Sequence, residues 1–277
     1  MSTLAQPSVI SQLMASGVLD RALVALEARY RETPRDLALL RRLGTTYRQR
    51  GALDLAAKIF AEVASLDPSD AQAIYLRDLL QGRPGARGEN WPVNFLLSRD
   101  YLPPAEYRNL LAELTPLALA MTSHRMHGRI PRWDFSGELG LVQKWFAEHI
   151  RRHFTAWCDV LRVPAFVPEI RGISFTRYAN GESYPLHNDG QSEKGNLLEV
   201  VYFVDFAESA FEGGELVLLD AALFGQRLPA WTAIPPVGNT LVVFPSAHWH
   251  EIAGVRCDSR SALAGRFMLA AYCRAVA

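Results

Sequence analysis

An internal repeat constrains this chain more than any other feature of its sequence. At a spacing of 34 residues, Gly17 recurs as Gly51, Leu19 as Leu53, Asp20 as Asp54, Ala22 as Ala56, Pro34 as Pro68 and Asp36 as Asp70. Small residues at fixed places let paired helices approach. The Pro after each second helix ends it, because a mid-helix Pro loses a hydrogen bond and clashes with the preceding turn. A further helix is predicted over Ala71–Leu80. Only about two such units are visible, and stacked helical units need three or more to bury their faces. The array is therefore expected to pack on the rest of the chain or, as a homodimer, on a second copy. It would serve as a peptide groove or as a docking platform.

Residues 82–92, GRPGARGENWP, combine Gly, Pro and charge and read as a linker. The predicted division is 1–82 helical repeats, 83–92 linker, and 93–277 a second domain. From 93 to 165 the apolar spacing is helical: Val142, Trp145, Phe146, Ile150, Phe154 and Trp157 form one stripe suited to buttressing a sheet. His149 and His153, four apart on that helix, read as packing residues rather than ligands. Past residue 170 come short runs, GISFTRYA, LLEVVYFVDF, GELVLLD, NTLVVFP and GRFMLAAYC, separated by turn residues that include the Gly213–Gly214 pair. Such a series implies a sandwich or jelly roll. The segment GALDLAAKIFAEVASLDPSD resembles the second half of a tetratricopeptide repeat, a likeness covering about residues 4–82.

Charge narrows the partners. Lys plus Arg equals Asp plus Glu at 29 each, so no global field favours nucleic acid or an anionic membrane surface. Cys158, Cys257 and Cys273 are an odd, scattered set, which argues against a disulfide framework and for a reducing compartment. No signal peptide or eighteen-residue apolar span is visible, and a cytoplasmic location is expected.

The chemistry lies in the strand-rich half. His187-Asn188-Asp189 follows the run GISFTRYANGESYP, and His250 follows NTLVVFPSAHW. In a pleated strand, side chains two apart point the same way, so His187 and Asp189 can offer a nitrogen and an oxygen to one metal, with His250 arriving from another strand. Two imidazoles and a carboxylate on one face of an octahedron leave the opposite positions open, as iron(II) oxygenases require. His248 lies on the same side of its strand as His250, and either could in principle bind the metal.

In order, RYANGESYPLHND, LLEVVYFVDF, EGGELVLLD, VGNTLVVFPSAHWHEI and GRFMLAAYCR resemble the core of the 2-oxoglutarate/iron(II) dioxygenase superfamily, especially its prolyl-4-hydroxylase-like branch, over about residues 171–274. The resemblance implies an α+β fold: tetratricopeptide-like repeats, then a double-stranded β-helix (jelly roll) with buttressing helices. It implies Fe(II), 2-oxoglutarate and O2 as cofactors, His187, Asp189 and His250 as metal ligands, with HEI after the FPS turn leaving His248 to face the metal shell or the substrate, and hydroxylation with release of succinate and carbon dioxide. It also implies a basic partner for the far carboxylate of 2-oxoglutarate. Arg266, which opens the last strand, takes that role, while Arg260, ten after His250, suits the family's spacing. Tyr178 matches a tyrosine that in relatives bonds the same carboxylate. The segment 123–138, SHRMHGRIPRWDFSGE, reads as a loop over the site whose Arg125, Arg129, Arg132 and Trp133 contact substrate. The expected substrate is a peptide, protein or carrier-tethered amino acid. The alternatives are a free amino acid or small metabolite, or a non-catalytic repeat adaptor with a degenerate β-helix.

Overall fold

A computed structural model describes residues 9–83, 94–126, 130–134, 139–164, 166–190, 195–206, 210–220, 230–258 and 261–276. The repeat region folds into helices α1 (Val9–Ala15), α2 (Val18–Glu32), α3 (Leu37–Arg50), α4 (Leu53–Leu66) and α5 (Ala71–Leu80). The recurring residues explain the boundaries. Gly17 and Gly51 adopt left-handed φ values of 67° and 87° where the chain reverses before α2 and α4, a conformation that a Cβ disfavours. Asp36 accepts hydrogen bonds from the Ala38 and Leu39 amides and caps α3, and Asp70 accepts from Ala73 and caps α5. Each cap contributes about 1 kcal/mol by satisfying an otherwise open helix N–H.

Two further helices follow, α6 (Pro104–Leu119) and α7 (Gly140–Leu161). Among the described residues the strands are β1 (Leu96–Ser98), β2 (Thr122–Met126), β3 (Ile130–Asp134), β4 (Pro168–Tyr178), β5 (Tyr184–His187), β6 (Asn196–Val204), β7 (Phe211–Gly213), β8 (Leu216–Leu219), β9 (Trp231–Ile234), β10 (Thr240–Pro245), β11 (His250–Ile252), β12 (Val255–Cys257) and β13 (Arg266–Ala275). They form a seven-stranded sheet in the order β1-β10-β6-β13-β4-β3-β2, a four-stranded sheet β5-β11-β8-β9 and a pair β12-β7. Every pairing in them is antiparallel.

Alternation along the strands assigns each face. On β6, Val201 and Phe203 point between the sheets toward Leu216 and Leu218, whereas Leu198, Val200, Tyr202 and Val204 point out to the α7 stripe of Phe146, Ile150, Phe154 and Trp157. The four-stranded sheet is covered on its outer face by the repeat helices: Ile10 and Leu19 pack with Val217, Leu219, Trp231 and Ala233. That is why all four residues of β8 are buried, each contributing roughly 1.5–3 kcal/mol. The Trp231 indole donates to the Gln49 carbonyl. The buried Arg48 guanidinium on α3 makes a forked pair with Asp220, at 3.0 and 2.8 Å, and donates to the Thr232 hydroxyl. One hydrophobic core runs from Leu40, Phe60 and Leu79 through Phe95 into Phe244 and Met268, so helices and sheets share an interior.

Three expectations are corrected. The segment 123–138 is not a plain loop: 122–126 and 130–134 pair as a hairpin that extends the large sheet through Trp133↔Arg177 and Asp134↔Thr176. Polar residues form these strands because the hairpin is held by backbone pairing at the sheet edge. The stretch from 93 to 165 is not wholly helical, since β1 pairs with β10. GISFTRYANGESYP is two strands, broken after Tyr178 by a turn in which Gly181 has φ 79°. Among the described residues no helix is long and apolar enough to cross a membrane.

Candidate metal centre

The two ligand-bearing strands are hydrogen-bonded neighbours. β11 runs antiparallel to β5 with His250 directly opposite His187, which brings their rings to 4.1 Å between centroids. Asp189 lies just past the end of β5. Its amide and that of Gly190 both donate to the Ser246 carbonyl at 2.9 Å, tying the carboxylate to the corner that leads into β11. The Nε2 atoms of His187 and His250 lie 3.6 and 3.9 Å from Asp189 Oδ2. The ligand atoms of His187, Asp189 and His250 all fall within 4.8 Å of one another, the metal-binding cluster found among the described residues.

Orientation is set by outer partners. His187 Nδ1 is 2.9 Å from the Pro185 carbonyl and His250 Nδ1 is 3.0 Å from the His248 carbonyl. A carbonyl can only accept, so each Nδ1 carries the proton and each Nε2 keeps its lone pair toward the centre. Burial, with the His187 ring beside it, pushes His250 down to about 4, so its imidazole is neutral at pH 7. Burial pushes the Asp189 carboxyl up, but the nearness of the His187 and then the His250 ring, with the Tyr272 hydroxyl, outweighs it and holds the group below its ordinary range. The Tyr272 hydroxyl donates to Asp189 Oδ2 at 3.2 Å. Two imidazoles and one carboxylate are the donor set suited to a divalent iron.

A cavity of about 560 Å³ joins this cluster to the barrel interior. It runs from exposed Arg171 to Arg266, which is 0% exposed. Arg266 opens β13 opposite Tyr178. Its guanidinium lies 5.3 Å from the Tyr178 ring centre and 5.0 Å from that of Phe203, with Nη1 donating to the Met268 sulfur. Nε and Nη2 are buried without a hydrogen-bond partner. Burial pushes this Arg down to about 10, with Glu215 acting the other way, so it remains a cation at pH 7 with two N–H groups unsatisfied among the described residues. Gly214, with φ 72°, makes room for it: a Cβ there would lie 2.9 Å from Arg266 Cδ. At the other end Gly172 lets β4 pass the Tyr272 ring, which a Cβ would meet at 3.0 Å.

Tyr178 lines the cavity beside Arg266, whereas His248 contributes its carbonyl to His250 and is not among the cavity-lining residues. Arg125 lies on β2, and Arg132 and Trp133 lie on β3. Arg129 and Arg260 lie outside the described residues. Two residues absent from the sequence reading join the site, Tyr272 and Glu199. The second has a legible signal, an acid at an inward position of the apolar run LLEVVYFV.

Residues 173–272 match the profile of the 2OG-Fe(II) oxygenase superfamily. A PKHD-type hydroxylase of Synechocystis, itself described as uncharacterized, is 30% identical over 146 residues, covering 50% of this chain and 48% of that protein. A PKHD-type hydroxylase of Parvibaculum lavamentivorans is 33% identical over 109 residues, 39% of this chain and 46% of that one. The chain thus spans about half the length of the curated relatives it matches. Among solved structures, a Trichoplax adhaerens prolyl hydroxylase in complex with a hypoxia inducible factor peptide superposes with a TM-score of 0.50. It is 13% identical and covers 73% of this chain and 88% of that one, a likeness of fold.

Proposed function

We propose that this chain, whose residues 173–272 match the 2OG-Fe(II) oxygenase superfamily profile, is a 2-oxoglutarate- and iron(II)-dependent dioxygenase that hydroxylates an unactivated C–H bond. One observation carries the reading: one cavity is lined both by a His-Asp-His cluster and by a buried guanidinium whose Nε and Nη2 have no hydrogen-bond partner among the described residues. Nε2 of His187, the Asp189 carboxylate and Nε2 of His250 would hold iron(II). Arg266, with Tyr178 beside it, would hold the far carboxylate of 2-oxoglutarate, because a guanidinium offers two parallel hydrogen bonds. When bound, the pair supplies the oxidation: dioxygen is consumed, 2-oxoglutarate loses carbon dioxide to give succinate, and one oxygen atom enters the substrate C–H bond. The chain's own work is orientation. Pro185 and His248 carbonyls aim the imidazoles, Tyr272 steadies the carboxylate, and Val201, Leu216, Met268 and Ala270 line a wall that limits water.

Anaerobic addition of iron(II) and 2-oxoglutarate to the whole chain should produce a visible charge-transfer band, and oxygen should then yield succinate. Neither appearing would refute the reading. Arg266→Ala leaves the co-substrate carboxylate without its partner in a buried site, a loss of 2–5 kcal/mol. The 2-oxoglutarate needed for half the band should therefore rise by about 30- to 4,000-fold. Arg260→Ala should change it far less, and the opposite ranking would reassign the role.

For the substrate we favour a prolyl, aspartyl or asparaginyl side chain in a peptide, protein or carrier-tethered amino acid. A groove of about 750 Å³ between α2 and α3, lined by Ala22, Arg42 and Gln49 among others, supports a polypeptide partner. The packing of α1–α3 on the four-stranded sheet supports the second reading, a free amino acid or small metabolite with the helices as scaffold. Mass spectrometry for the gain of one oxygen, on peptides against free amino acids, separates them.

A further inference from the structure

Strand β6 places three side chains toward the barrel interior near its middle, Glu199, Val201 and Phe203. A wall that only needed packing would carry a third apolar residue. Instead Glu199 is 6% exposed, and its Oε2 is buried without a hydrogen bond. Leaving a buried carboxyl oxygen unsatisfied costs about 1–3 kcal/mol or more. That oxygen lies 3.4 Å from His250 Nε2, the atom aimed at the metal. Register puts Glu199 opposite Phe244 on one side and Tyr272 on the other. The Phe244 ring stands edge-on to His250 at 5.1 Å, and the Tyr272 hydroxyl is committed to Asp189. Glu199 does not share the mutual 4.8 Å spacing of the three ligand atoms. It stands just outside their ring, beside His250.

We propose that Glu199 is a positioning residue of the metal centre, whose carboxyl hydrogen-bonds the exchangeable ligand, water in the resting protein, that occupies the coordination position next to His250. The proposal rests on the iron reading above. A hydrogen bond from a metal-bound water satisfies the orphaned oxygen, and in return the water is held in one orientation. Groups in this position typically alter metal affinity by about 10- to 100-fold when removed.

Cobalt(II) alone, titrated into the full-length chain and followed by its visible absorption, tests this. Glu199→Gln keeps the shape and a hydrogen-bonding oxygen and should bind cobalt within a few-fold of the parent. Glu199→Val should bind about 10- to 100-fold more weakly, with an altered ligand-field band. Its metal-free melting temperature should stay level or rise, because an unsatisfied carboxyl has been replaced by packing. Parent-like affinity and spectrum in Glu199→Val would overturn the proposal, and equal loss in both variants would overturn it in favour of direct ligation. If the parent itself gives no cobalt spectrum, the metal-site reading fails and takes this proposal with it; a normal parent with an unaffected Glu199→Val refutes the role of Glu199 alone.

Discussion

Asp189→Ala protein is expected to retain no stoichiometric iron(II) after dialysis and to form no succinate, and His187→Ala should behave likewise. Asp189 supplies the negative charge in the cluster, and its Oδ2 lies within 3.9 Å of both metal-facing nitrogens. Removing it leaves two imidazoles and takes away the acceptor of the Tyr272 hydroxyl. Loss of an outer partner alone lowers affinity about 10- to 100-fold, so loss of a ligand should exceed that range. The fold should survive, since the corner at Asp189 is held by backbone bonds to Ser246. His248→Ala is the comparison and should keep its iron, because the backbone carbonyl that orients His250 is retained and His248 does not line the cavity. Metal analysis with the anaerobic band measures all three. Full iron retention in either ligand variant would refute the assignment.

Arg48→Ala should destabilise the chain by about 3–5 kcal/mol, the loss that follows when one partner of a buried ion pair is removed. Side-chain exposure is 3% for Arg48 and 9% for Asp220, so water cannot replace the missing group. The forked geometry, with Thr232 as a third partner, raises the number of bonds lost. Asp220→Ala should cost a similar amount by stranding the guanidinium. The double variant Arg48→Met with Asp220→Leu should recover most of the loss, since two apolar groups leave nothing unsatisfied. Urea denaturation of the metal-free chain gives the values. A single-variant loss under about 1 kcal/mol, the range of surface pairs, would mean that this contact does not secure the helices to the sheet.

Legibility differed by element for physical reasons. Strands β4, β6, β8, β10 and β13 were visible because each is an apolar run bounded by turn residues. β5, β7, β9, β11 and β12 span only three or four residues, too few for a period to register. β2 and β3 carry no apolar alternation, so their hairpin read as a loop. In the site, the donor types at 187, 189 and 250 are a signature by themselves. Tyr272 looked like an ordinary member of an apolar strand, and Glu199 stood out as an acid in one, but only the fold shows that both line the cavity.

The amino-acid sequence by itself determined the helical repeat, its glycine turns and Asp caps, the long strands and the metal-ligand chemistry, because these depend on side-chain type and on neighbours a few positions away. Tertiary structure alone decided that the helices lie on the outer face of the four-stranded sheet, that His250 meets His187 across 63 residues of chain, and that Arg266 and Glu199 line one cavity with buried polar atoms unsatisfied among the described residues. Strand register is set by the summed burial of whole faces, to which no local window of sequence has access.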